Sequence, residues 1–132
     1  MAKTFPPDLR ALRYIWNWTP ILMFHEVLPD YTPNLPPYAI TRSGLRNILV
    51  DFIERGYSGG SLDDVMPSAT MGVLPRPRAK KRMVLTFDDG TRDFVDNALP
   101  VLQELDITAT LFIVAGKVGG RRDWDPLHGD PL

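Results

Sequence analysis

Asp88 and Asp89 stand side by side behind the apolar run Met83-Val84-Leu85-Thr86-Phe87 and ahead of Gly90. Two adjacent carboxylates repel each other and lose hydration on burial, so a bound cation or open solvent has to compensate them. Carboxylates placed this way can take a proton from water or hold a divalent cation. They can equally do no more than cap the next helix from a solvated loop. His25 is the other group of a suitable type, an imidazole whose charge changes near neutral pH, and it follows a second apolar run, Ile21-Leu22-Met23-Phe24. It reads either as an active-site histidine or as a satisfied histidine at a strand end. Glu26 beside it reads as solvated. Arg92 and Asp93 read either as a pair that steadies Asp88 or as a plain surface pair. His128, with Asp123, Asp125 and Asp130, makes an acidic tail flanked by glycines, and a solvated loop explains it better than a metal site.

The elements that must position these groups follow from period and punctuation. Val84, Leu85 and Phe87 make a short buried strand that Gly90 lets turn away sharply. Ile21 to Phe24 is the first strand, and the prolines at 29, 33, 36 and 37 impose a loop after it. Thr41 or Ser43 then caps a helix whose Leu45, Ile48, Leu49, Phe52 and Ile53 share one face, and Gly56 stops it. Ser61 with Asp64 reads as a second, brief cap, and Pro67 to Lys81 as a further loop. After the acid pair, Asp96 or Asn97 caps a helix with Pro100 in its first turn and Val101, Leu102 and Leu105 inward. Thr108 to Val114 is the third strand.

Strand, helix, strand in succession is a right-handed crossover, so the class is α/β with parallel strands. In such sheets the chemistry gathers at the carboxyl ends of the strands, the rim that His25 would share with Asp88 and Asp89. Glycines and prolines from Gly116 onward make the tail irregular, which leaves the edge of the third strand unpaired. Residues 1–19 form an extension in which Leu9, Leu12 and Ile15 suggest a short helix. Trp16 and Trp18 there suit packing better than stacking on a sugar.

Composition sets outer limits. A chain of 132 residues with a 44% hydrophobic fraction can bury a core. A net charge of −1, with both signs mixed along the chain, presents no nucleic-acid surface. The basic run Arg76, Arg78, Lys80, Lys81 and Arg82 reads as a solvated loop. The absence of cysteine excludes disulfides and thiolate metal sites. No stretch approaches the ~20 apolar residues of a membrane span, and Lys3, Asp8, Arg10 and Arg13 break up any secretory leader. The expected location is cytoplasmic.

The run Thr86-Phe87-Asp88-Asp89-Gly90, with Ala109-Thr110-Leu111-Phe112-Ile113-Val114 after it and Ile21-Leu22-Met23-Phe24-His25-Glu26-Val27 before it, resembles the polysaccharide deacetylase family, or NodB-homology domain. Gly56-Tyr57 and Ser61-Leu62-Asp63-Asp64 fall in their usual places between these segments. The resemblance runs from about residue 20 to about 125. It implies a partial (β/α) barrel, truncated after about the third strand, with residues 20–132 as the N-terminal part of the domain. It further implies a metal-dependent hydrolase of carbon–nitrogen amide bonds that removes acetyl groups from the N-acetylated sugars of a polysaccharide or oligosaccharide substrate. By the same resemblance Asp88 is the general base, Asp89 a ligand for a divalent metal, zinc being expected, and His25 a further active-site residue.

Members of that family also supply a His-x-x-x-His pair of ligands and a later histidine as general acid. His25 and His128, the only histidines here, match neither. The expectation is therefore a chain that belongs to a hydrolase family and does not itself turn over substrate; a fragment without catalysis, or a degenerate glycan-binding domain, is the alternative. Asp89-Gly90-Thr91 also suggests the haloacid-dehalogenase phosphatases, but that register puts Phe87 where their nucleophilic aspartate must stand.

Overall fold

A computed structural model describes residues 19–62 and 81–123. The expected α/β class with parallel strands is what it shows. The strands in chain order are β1 (Ile21–Phe24), β2 (Glu26–Leu28), β3 (Ala39–Thr41), β4 (Tyr57–Gly60), β5 (Lys81–Phe87) and β6 (Thr110–Leu111). The two α-helices are α1 (Arg42–Glu54) and α2 (Leu99–Glu104).

β5 is the centre of the larger sheet. Val84 pairs with Ile21 of β1 and with Gly60 of β4, and Thr86 pairs with Met23 and with Thr110 of β6, all in parallel. One edge of β5 therefore carries β1, while the other carries first β4 and then β6. Residues 83–87 are all buried, as a strand covered on both faces requires. Met83, Leu85 and Phe87 alternate onto one face and join Leu45 and Leu49 of α1 and Val101 and Leu102 of α2 in a single core. Among the described residues these strands do not close into a barrel.

α1 starts where the sequence allows, at Thr41, whose Oγ1 accepts the Gly44 amide at 3.1 Å. Its buried stripe is narrower than expected. Leu45 and Leu49 are fully covered, whereas Ile48 and Ile53 lie at the margin with 37% and 39% exposure. The second helix differs more. Neither Asp96 nor Asn97 caps it, because a π-helical turn at Phe94–Ala98 already runs into α2. Pro100 has no N–H to return to the carbonyl one turn back, and a wider turn in front of it absorbs that loss.

β2, β3 and β4 are additions to the expected strands, and two others differ in extent. β2 and β3 pair in parallel from the two ends of the proline-rich segment, which is loop between them as expected. In β4 Gly59 is a point of close contact, since a Cβ there would lie 2.5 Å from Ile107 Cγ2. The third strand of the sequence reading, Thr108 to Val114, shrinks to Thr110–Leu111, and Phe112 and Ile113 beyond it are exposed. Lys81 and Arg82, read as loop, open β5 instead, with Lys81 Nζ 5.2 Å from the centre of the Tyr57 ring.

The suggested N-terminal helix with Trp16 and Trp18, most of the Pro67 to Lys81 loop, and Asp125, His128 and Asp130 lie outside the described residues. Among those described, no helix is long and apolar enough to cross a membrane.

Candidate functional site

Strand register builds the site. Phe24 and Phe87 are partners on β1 and β5, so the residues that follow them, His25 and Asp88, leave the sheet side by side. Their ring centroids are 5.3 Å apart, and Phe94 meets Phe87 edge-on at 5.0 Å, which gives the rim an aromatic floor. The Asp88 amide donates to the Phe24 carbonyl at 3.0 Å. On the other side the Phe112 amide donates to the Phe87 carbonyl at 2.8 Å, so the end of β5 is held from both edges.

His25 Nε2 lies 3.9 Å from Asp88 Oδ2, with side-chain exposures of 38% and 31%. That is close enough for attraction when the imidazole is protonated and too long for a hydrogen bond. Both groups can reach a substrate from solvent. Asp89 and Gly90 then take left-handed backbone, with φ of 71° and 68°. A non-glycine residue in that region carries strain that its surroundings must sustain, a condition common at functional loops. The Gly90 amide closes the turn on the Asp88 carbonyl at 2.9 Å. Behind it Thr91 is buried, and its hydroxyl has no hydrogen-bond partner among the described residues.

Two neighbours do not behave as their types suggested. Glu26 is buried rather than solvated, and its Oε1 accepts from Arg122 Nη2, a residue 96 positions along the chain. No local pattern could have revealed a partner so distant. Arg92 and Asp93 do not pair with each other. Arg92 meets Asp96 one turn on at 3.3 Å, and Asp93 Oδ2 accepts the Val27 amide at 2.7 Å. Asp123, from the acidic tail, pairs with Lys117.

A catalytic zinc site takes about three protein ligands and one open position. Among the described residues no group of three or more metal-ligating side chains converges. Asp89 and its described neighbours therefore do not fit a complete metal site by themselves.

Residues 76–126 match the family model described as polysaccharide deacetylase. Over this stretch the chain is similar to the polysaccharide deacetylases. No curated protein matches the chain. Among solved structures, IcaB from Ammonifex degensii is similar at 28% identity with a TM-score of 0.63, over 80% of this chain and 42% of that one. A de-N-acetylase from Aggregatibacter actinomycetemcomitans shares the fold at 22% identity and a TM-score of 0.61, over 76% of this chain and 38% of that one. The Streptococcus pyogenes deacetylase PplD, in complex with acetate, does so at 24% and 0.57, over 86% and 48%. The chain thus spans less than half the length of each of these relatives, and the partial barrel of the NodB type expected from the sequence agrees with them.

Proposed function

We propose that this segment supplies the base-bearing rim of a metal-dependent deacetylase, one that removes acetyl groups from N-acetylated sugars of a polysaccharide. The observation that carries the reading is the meeting of His25 and Asp88 at the strand ends, Asp88 lying within residues 76–126, the segment that matches the polysaccharide deacetylases. Asp88 accepts a proton from the water that adds to the acetyl carbon. His25 beside it contacts the substrate. The carbon–nitrogen bond then breaks to leave acetate and a free amino sugar, and the departing nitrogen takes a proton from a general acid that this rim does not provide. Asp89 would contribute one ligand to a divalent cation, zinc by family expectation, which when bound would supply Lewis acidity at the acetyl carbonyl.

Among the described residues too few donors converge to hold that ion, and the two histidines of the sequence match neither the ligand pair nor the acid. It should release no acetate from N-acetylglucosamine oligomers above background, with or without added zinc. A chimera in which residues 20–132 replace the matching part of the Ammonifex degensii protein is the positive test. Chelator-sensitive acetate release is expected from it. A folded chimera that binds zinc and stays inactive would sink the reading, leaving a non-catalytic module.

A further inference from the structure

His25 and Asp88 do not fix each other, because 3.9 Å between partly exposed side chains is beyond hydrogen-bond range. Their spacing has to come from whatever holds the backbone around His25. Before it, the Phe24 carbonyl is tied to the Asp88 amide. After it, the Val27 amide is tied to Asp93. Between these, Glu26 is tied to Arg122, in the segment beyond β6.

The third tie differs in kind from the other two. The Glu26 and Arg122 side chains are each 3% exposed, so neither charge has water to fall back on. Truncating one partner leaves the other buried and uncompensated, a change that forces local rearrangement. Glu26 is also the residue next to His25 and the first of β2, where the chain leaves the larger sheet to pair with β3. A displacement of Glu26 reaches His25 through a single peptide unit, which is planar and stiff.

We propose that the buried Glu26–Arg122 ion pair is a positioning device that sets where His25 stands beside Asp88; the proposal rests on the deacetylase reading only for the importance of His25. The pair also makes the site depend on the segment after β6, whose described residues supply none of the ionisable groups at the rim.

Histidine labelled with carbon-13 in the 132-residue chain tests this without substrate or metal. With two histidines in the sequence, His25→Asn assigns the ring resonances of His25. Arg122→Met keeps the stem and removes the cation, Glu26→Gln keeps the shape and removes the anion, and Arg122→Lys restores a cation without the planar fork. The His25 ring resonances should shift in the first two variants and return part of the way in the third, with methyl resonances of Leu45, Leu49 and Leu85 in place. His25 resonances unmoved in a folded Arg122→Met or Glu26→Gln protein overturn the proposal. So does an equal displacement of the core methyls in all three, the mark of a pair that only holds the fold. If both charge-removing variants fail to fold, Glu26→Asp decides, since it keeps the charge and draws it back by one methylene. A shift of His25 alone then supports the positioning role, and no shift defeats it. A negative result leaves the deacetylase reading standing, and an inactive chimera leaves this result standing.

Discussion

Phe24 and Phe87 lie in register on adjacent parallel strands, ring against ring, and the residue after each belongs to the candidate site. The core and the rim are thus joined by single peptide units. Phe87 is 1% exposed and touches both other aromatic rings, so Phe87→Ala should cost about 3–5 kcal/mol, the usual range for emptying a buried aromatic position. Phe24→Ala should cost less, since Phe24 is only half-buried. Urea unfolding of both variants gives the comparison, and equal losses would contradict the placement of Phe87 at the centre.

Gly56 and Gly90 both hold left-handed backbone, with φ of 84° and 68°, yet their surroundings differ. A Cβ at Gly56 would meet nothing within 4 Å. One at Gly90 would lie 2.8 Å from Ile113 Cγ2 and 3.3 Å from Ile113 Cα, and the second of these is backbone. Gly56→Ala should therefore lose only the conformational part, about 1–2 kcal/mol. Gly90→Ala should lose clearly more, because the acid-pair turn and the chain after β6 cannot both stay in place. Thermal melts of the two variants measure the difference, and a Gly90→Ala protein no less stable than Gly56→Ala would refute the contact.

The central strand, its acid pair and the capped first helix were legible in the sequence because each depends on neighbouring residues. Apolar runs, a capping hydroxyl and a glycine stop are local signals; β1 and β5 appear where they point, and the cap, open between Thr41 and Ser43 in the sequence, falls on Thr41. What escaped depends on distant partners. β4 has no local signal of its own, since Ile107 packs onto its Gly59 from far along the chain, and Glu26 looks solvated until Arg122 arrives. Pro100 was read correctly as early in a helix, but its effect on the preceding turn moved the start back past Asp96 and Asn97. His25 and Asp88 were each legible singly, while their separation required the strand register.

Asp30 offers a test by pH. Its Oδ1 accepts the Ser43 amide at 2.8 Å, close to the first turn of α1, and that bond holds its carboxyl below the usual 3.8. A carboxyl depressed in the folded state binds its proton less readily there than in the unfolded chain. Its stabilising effect is therefore present in full above the unfolded value and fades as pH falls through the folded one. Glu104, held below its usual 4.5 by the hydrogen bond from Arg46, follows the same sign. The gap in melting temperature between the parent chain and Asp30→Ala should be widest above about pH 5 and close as pH drops below 3.8. A gap that widened on acidification would overturn the assignment of this bond.

Asp88 and Asp89 are adjacent, but their surroundings differ. Asp88 stands next to His25, whereas Asp89 sits in left-handed backbone where the chain turns. Side chains that leave successive residues diverge, so one carboxylate can meet a cation while the other meets water. In the chimera with the Ammonifex degensii protein, Asp89→Asn should weaken zinc binding, since a neutral amide is a poorer ligand than a carboxylate. Asp88→Asn should keep its zinc and still lose on the order of 10²–10⁴-fold in turnover, because an amide cannot take the proton from water. Zinc content by elemental analysis and initial rates of acetate release, measured on the same preparations, separate the two effects. Loss of zinc in Asp88→Asn with retention in Asp89→Asn would reverse the roles. Full activity in both would reduce the pair to a helix cap, and His25 would then have no carboxylate to serve.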